Sequence, residues 1–258
     1  MPHGENFPVE HARDRFGDGA GYYKGRTPYS GAFFRKLAIE LNLDKTTAIL
    51  DLACGRGELA LGLSPYAGSI VGTDQSKAML EIASKSNWRN VAFRQHDLNE
   101  SPFASETKFD VVTIGRAIPY IKPPMLKQTL SRSLRRGGAV VICGAGMGAD
   151  TVWFGAYQKI RRRFTERKER LDFRGIQKMT SINFRLAKAV NDTVSASYDI
   201  EDILNHALSY HTQTKMILEN KHEFLLALEN ELAPFRGNNG TYSASEHSWG
   251  LIFQERAV

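Results

Sequence analysis

The sequence predicts an α/β fold, a doubly wound and mostly parallel sheet, over residues 49–144. Three observations carry that expectation. Short apolar runs alternate with segments of helical spacing, the pattern of successive right-handed βαβ units. The runs are continuously apolar rather than alternating, as strands are when helices cover both faces of a sheet. The first run also closes on a glycine-rich turn that opens a helix.

In order, TAILDLA (47–53) is a buried strand and ELALGLSPY (58–66) its helix. SIVGTD (69–74) is the second strand, followed by the helix SKAMLEIASKS (76–86) with Ser76 as its cap. NVAFRQHD (90–97) and FDVVTIG (109–115) are the third and fourth strands. PPMLKQTLSRSLRR (123–136) begins on prolines, and its helix is expected to run to Gly137-Gly138. GAVVICG (138–144) is the fifth strand. Before the sheet come an aromatic loop, FGDGAGYYKGRTPYS (16–30), and a helix, GAFFRKLAIEL (31–41). After it, residues 151–185 read as helical and basic, NDTVSASYD (191–199) as a strand and IEDILNHALSY (200–210) as a helix. TKMILENKHEFLLALENELAPF (214–235) reads as one long amphipathic helix. GNNGTYS (237–243) has turn chemistry, and HSWGLIFQER (247–256) is a final strand. No internal repeat or low-complexity tract interrupts this order.

The chain has 258 residues, 42% hydrophobic and 24% charged, enough for a sizeable core. No stretch approaches the roughly 18 apolar residues of a membrane span, and the first residues lack the apolar core of a secretory signal. Cys54 and Cys143 have neither disulfide nor metal spacing, so a reducing cytoplasm is the expected compartment. The net charge of +6 is concentrated. Between Lys159 and Arg174 stand eight basic residues (Lys159, Arg161, Arg162, Arg163, Arg167, Lys168, Arg170, Arg174) against three acids (Glu166, Glu169, Asp172). Such a run suits a nucleic-acid contact. It suits equally a helix whose acids and arginines pair at helical spacing, or a lid over an acidic small molecule.

The turn after the first strand admits two ligands. Gly55-Arg56-Gly57-Glu58-Leu59-Ala60 fits the loose G-x-G-x-x-G/A pattern of nicotinamide enzymes, and Asp74, 19 residues after Gly55, stands where a ribose-binding acid belongs. Asp51 opposes that reading, because a carboxylate at the turn repels a pyrophosphate. It suits a ligand with an ammonium or sulfonium. It also suits plain capping of local backbone N–H groups.

LDLACGRGELA (50–60) resembles motif I of the class I S-adenosylmethionine-dependent methyltransferases. IVGTDQSKAMLEIA, FRQHDLNE and FDVVTIGRAIPYI are similar to motifs II, III and IV, and LRRGGAVVI to the fifth strand with its preceding turn. AGYYKGRTPYSGAFFRKL resembles the Y-x-x-x-R-P-x-Y-P segment of the trans-aconitate-like, type 11 small-molecule enzymes, with Thr27 and Ser30 where prolines are usual. The resemblance implies a Rossmann-like methyltransferase fold: seven strands, the last antiparallel, with a helical cap. It divides the chain into residues 1–40, covering the cofactor, and a domain at 41–258 with a substrate-cap insertion at about 150–185. It implies S-adenosylmethionine as cofactor, held by Tyr22, Arg26, Asp51, Ala53, Cys54, Gly55, Asp74, Gln75, Met79, Asp97, Leu98 and Gly115. In it Asp74 serves the ribose hydroxyls, Met79 lies near the adenine, Asp97 accepts from the adenine amino group and the Leu98 N–H reaches the ring. Arg26 binds a carboxylate of cofactor or substrate.

Gly115, Arg116, Ala117, Ile118, Pro119 and Tyr120 occupy the place that faces the methyl group in that family. They lack the N/D-P-P-Y/F motif of the DNA amino-methylating enzymes. The expected acceptor is therefore a small molecule methylated on nitrogen, oxygen or carbon, with no membrane and no nucleic-acid partner. An RNA-directed enzyme gripping phosphates with residues 159–174, and a non-catalytic cofactor binder, are the alternatives. His206, Tyr210 and His211 fall in the capping region, none with an assigned catalytic role, and no metal site is expected.

Overall fold

The computed structural model describes residues 21–86, 88–164 and 175–256. Its strands are β1 (Ala48–Leu52), β2 (Ser69–Asp74), β3 (Val91–Gln95), β4 (Phe109–Gly115), β5 (Leu134–Met147), β6 (Phe184–Tyr198) and β7 (Tyr242–Glu255). They form one sheet in the order β3-β2-β1-β4-β5-β7-β6. The first five pair in parallel, and β7 runs antiparallel to both β5 and β6. This is the seven-stranded, doubly wound architecture with an antiparallel last strand.

Alternate side chains leave the sheet on opposite faces. Leu50, Leu52, Val112, Ile114, Val140 and Ile142 join one apolar cluster with Leu126 and Leu130 of α4 (Pro123–Ser133) and Met179 of α6 (Gly175–Ser181). Ile49, Val111, Val141 and Cys143 join the other, against Phe33 and Leu37 of α1 (Gly31–Glu40) and Leu59 and Leu63 of α2 (Glu58–Leu63). Both faces are covered, which is why these strands read as unbroken apolar runs. Ser30 caps α1, its Oγ accepting from the Phe33 N–H at 2.9 Å. Ser76 caps α3 (Lys77–Ala83) in the same way through Met79.

A third apolar cluster lies beyond the sheet. Trp153, with Tyr157 and Ile160 of α5 (Phe154–Arg163), packs on Ile203, Leu204 and Ala207 of α7 (Ile200–Leu208) and on Phe224, Leu228 and Leu232 of α9 (Lys221–Leu232). Tyr198 and Tyr242, at the ends of β6 and β7, close it. The covering helices thus come from two stretches of chain, before β6 and between β6 and β7. Residues 150–185, where the insertion was expected, supply α5 to this layer, whereas α6 lies on the sheet. A 3-10 turn at Tyr22–Gly25 rests on α7 so closely that a Cβ on Gly25 would come within 2.2 Å of the Asn205 carbonyl oxygen.

Three sequence expectations change. The helix expected to reach Gly137 ends at Ser133, because Leu134 turns extended and pairs with Phe109. The long helix at 214–235 is two, α8 (His211–Glu219) and α9, divided at Asn220, whose ψ of 31° leaves the helical region while its side-chain amide donates to the Met216 carbonyl. The strand expected at 191–199 begins at Phe184, in residues that read as helical, because β7, one residue shorter, pairs with it from Glu255 back to Tyr242.

Candidate active site

The carboxyl ends of β1, β2 and β4 open onto a cleft, the usual ligand position in a doubly wound sheet. It consists of two cavities, which share Tyr23, Ala53, Gly55, Gly115 and Arg116 as walls. The glycine turn shapes both. Ala53, Gly55 and Gly57 all have positive φ, at 52°, 56° and 79°. At Gly57 the backbone needs glycine twice over: its φ is left-handed, and a Cβ would come within 2.7 Å of the Phe93 ring. The turn is pinned by the Cys54 N–H to the Thr73 carbonyl at 2.9 Å and by the Gly55 N–H to Asp74 Oδ2 at 2.8 Å.

Asp51 stands in the middle of the sheet, paired in register with Gly72 and Thr113, and is 1% exposed. Its Oδ1 accepts from Thr113 Oγ1 at 2.7 Å, while its Oδ2 is buried without a partner. Burial pushes its pKa up to about 7, with Thr113 and the Ala60 amide pulling down and Asp74 and Glu58 adding to the rise. A carboxylate in that state is short of a cation.

Asp74 ends β2 with both oxygens engaged, Oδ2 by Gly55 and Oδ1 by the Ser76 N–H at 2.8 Å. Burial raises its pKa, the amides of Ser76 and Gly55 pull it down, and Asp97 pushes it up again. Asp97 is fixed by the Asn99 N–H on its Oδ1 at 2.8 Å. Around these acids the larger cavity is completed by Gln75, Met79, His96, Leu98, Asn99, Ala117, Tyr120 and Ile121. The smaller cavity holds Asp51, Cys54, Glu58, Leu59 and Tyr29.

The residues expected around a cofactor therefore gather here, with two exceptions. Asp51 and Cys54 wall the smaller cavity, Asp74, Gln75, Met79, Asp97 and Leu98 the larger, and Ala53, Gly55 and Gly115 both. Tyr22 instead packs against the third apolar cluster, and its neighbour Tyr23 faces both cavities. Arg26 lies off both walls, its guanidinium 3.7 Å from the Tyr210 ring centroid and 5.7 Å from that of Tyr23. Glu58 and Arg116 have no motif to mark them. Glu58 is exposed to the cleft because the turn places it at the first position of α2, and Arg116 because β4 ends in a left-handed residue, φ 56°.

Neither cysteine is primed as a nucleophile, and His206 is not charged. Burial pushes the Cys54 and Cys143 thiols well above their ordinary range. His206 is 1% exposed, its Nδ1 2.7 Å from the Tyr157 hydroxyl. Burial first, then the guanidiniums of Arg161, Arg26 and Arg116, lower its pKa to about 3, so the ring is neutral at pH 7. Among the described residues no cluster of His, Cys, Asp or Glu could hold a metal ion. No helix among them is long and apolar enough to cross a membrane.

Residues 49–138 match a family model described as a methyltransferase domain, Methyltransf_25. Over 113 residues the chain is 30% identical to a demethylmenaquinone methyltransferase of Staphylococcus aureus, a match covering 42% of this chain and 46% of that protein. The chain thus spans less than half the length of the curated relatives it matches. Among solved structures, a putative type II methyltransferase of Anaeromyxobacter dehalogenans superposes with a TM-score of 0.65 at 17% identity, over 90% of this chain and 97% of the other. The YcgJ protein of Bacillus subtilis gives 0.56 at 16% identity, over 89% and 100%. A methyltransferase of Thiobacillus denitrificans, solved with S-adenosyl-L-homocysteine, gives 0.50 at 15% identity, over 98% and 100%. With motifs I to IV ordered along the strands that wall the cleft, residues 49–138 form a methyltransferase domain of the class I, S-adenosylmethionine-dependent type.

Proposed function

We propose that this chain moves a methyl group from S-adenosylmethionine to a nitrogen, oxygen or carbon of a small molecule by in-line displacement. The observation that carries the reading is Asp51: a buried carboxylate with one oxygen unpartnered, on the wall of the cavity beside the glycine turn. A pyrophosphate there meets a negative charge, whereas the ammonium of the cofactor's amino-acid end meets the missing cation. The larger cavity suits the nucleoside, with Asp74 toward the ribose and Asp97, Leu98 and Met79 toward the adenine.

The bound sulfonium supplies an electrophilic methyl group. The chain's part is to bind, align and keep water out, which lowers the barrier without a covalent intermediate. Tyr23 and Tyr29, from the segment before α1, also wall the cleft. His206, neutral and held by Tyr157, has no part as an acid at pH 7.

The described half of the basic segment supports a small acceptor over RNA. Arg161 is 7% exposed, bonded to Gln213 Oε1 at 2.8 Å and placed 4.0 Å from the Tyr210 ring centroid. Arg163 pairs with Glu231 through both terminal nitrogens, and Arg162 donates to Gln158. These guanidiniums are used within the helical layer. Arg167, Lys168, Arg170 and Arg174, with the three acids, lie outside the described residues. The Staphylococcus aureus relative is itself named for demethylmenaquinone, a small molecule.

Calorimetry is expected to show S-adenosylmethionine and S-adenosylhomocysteine binding and nicotinamide dinucleotides failing to bind. Incubation with cofactor tritiated in the methyl group should label the small-molecule fraction of an extract and leave its RNA unlabelled. Tighter binding of a nicotinamide dinucleotide, or label in RNA alone, overturns the proposal.

A further inference from the structure

We infer that Arg116 receives the carboxylate of the cofactor's amino-acid end and thereby makes the site selective for a zwitterionic ligand. The inference rests on the methyltransferase reading above and deepens it. An α-amino acid carries its ammonium and carboxylate on one carbon, so a cavity that takes the first must also accommodate the second within a few ångströms. Asp51 answers the ammonium. Among the described residues walling that same cavity, Arg116 is the one cation.

Its surroundings keep the guanidinium charged and fixed. Nη1 donates to Glu58 Oε2 at 2.8 Å, Nη2 donates to the Thr27 carbonyl, and the group lies 4.7 Å from the Tyr29 ring centroid. The Nε–H is left over, buried and without a partner, on a side chain 14% exposed. Burial works against the charge and Glu58 beside it favours it, and a guanidinium keeps its proton throughout the ordinary pH range, so the group stays cationic. The backbone is also committed to this placement. Arg116 holds φ at 56°, a conformation side chains avoid, while its own N–H is bonded to the Cys143 carbonyl at 2.9 Å. A long cationic side chain held this way, with one buried donor unspent at the wall of an acid-rich cavity, is provision for an anion. Arg26, where the sequence pattern put the carboxylate, is stacked on Tyr210 and reaches neither wall.

The experiment compares three ligands by calorimetry: S-adenosylhomocysteine, its α-carboxamide, which keeps the ammonium and loses the negative charge, and 5′-methylthioadenosine, which lacks the amino-acid end. The wild type is expected to favour S-adenosylhomocysteine over the carboxamide by about ten- to hundredfold. Arg116→Gln should erase that preference while lowering 5′-methylthioadenosine affinity far less than S-adenosylhomocysteine affinity, since Arg116 also walls the larger cavity, and an unchanged thermal unfolding profile shows that the variant is folded. Arg116→Lys should restore part of the preference, and Arg26→Gln should leave it intact. Equal losses of S-adenosylhomocysteine and 5′-methylthioadenosine in Arg116→Gln, a persisting preference, or a preference that vanishes with Arg26→Gln overturns the inference. If the wild type binds none of the three, the methyltransferase reading itself fails; if it binds all three and Arg116→Gln changes nothing, only the role of Arg116 fails.

Discussion

Replacing Asp51 by asparagine should make the empty protein more stable and the loaded one weaker. The folded chain holds the Asp51 proton up to about pH 7, whereas an aspartate in the unfolded chain releases it near 3.8. Between those values the folded state binds more protons than the unfolded state, so stability falls as pH rises from about 4 to about 7 and is level beyond. About three pKa units at roughly 1.4 kcal/mol each put the full cost near 4 kcal/mol above pH 7. No solvent discount applies, because the group is 1% exposed. Asparagine keeps an oxygen for Thr113 Oγ1, bonded now at 2.7 Å, and removes the charge.

Urea unfolding of the ligand-free protein at pH 4.5, 6 and 8 is the assay. Asp51→Asn should exceed the wild type by only about 1 kcal/mol at the lowest pH and by about 4 kcal/mol at pH 8. A bound ammonium restores the carboxylate's reason to be ionised, so wild-type cofactor binding should strengthen as pH rises through 7 and release a proton. That release is measurable by calorimetry in buffers of different ionisation enthalpy, and the variant should lose both the affinity and the release. A variant that is destabilised at every pH, or that binds cofactor as the wild type does, refutes the reasoning: Asp51 would then be only a structural acceptor.

Asp74→Ala should weaken S-adenosylhomocysteine binding by about 1.5–3 kcal/mol, the range for a charged hydrogen-bond partner; calorimetry that finds no change removes Asp74 from the ribose. The same change should lower stability, read by urea unfolding, because the Gly55 and Ser76 N–H groups lose their acceptor. Changing Arg162 and Arg163 together to glutamine should leave cofactor binding and turnover intact and reveal no RNA affinity to lose. A wild type that binds RNA at low salt, with the double change flattening log affinity against log salt by about 2 units, favours the nucleic-acid reading.

What the sequence made legible is what depends on near neighbours in the chain. The five alternating strands, the glycine turn and the acids ending β1 and β2 are local patterns, and each recurs in the sheet where its spacing placed it. The misread boundaries have long-range causes. Leu134 is extended because Phe109 is beside it, and β6 begins at Phe184 because β7 is long enough to pair with it. Neither partner is near in sequence. The break at Asn220 was visible in principle, as an asparagine inside a helical pattern, but the apolar spacing on either side concealed it.

The same distinction runs through the site. The motif marks Tyr22, yet a 3-10 turn seated on Asn205 sends Tyr22 into the apolar cluster and its neighbour Tyr23 to the cavities. Arg116 and Glu58 are 58 residues apart, and nothing in the spacing pairs them. The fold does so by ending β4 beside the start of α2. Half of the cleft is therefore written in motifs, the half proposed for the nucleoside. The remainder is assembled from Tyr23, Tyr29, Glu58 and Arg116, which come together only when the segment before α1 lies between the sheet and α7. Substitutions at Tyr23, Glu58 and Arg116 should change which ligand is held while leaving the sheet intact, since none of these three side chains belongs to either apolar cluster on the sheet, whereas Tyr29 packs in the one around Ile49 and Phe33.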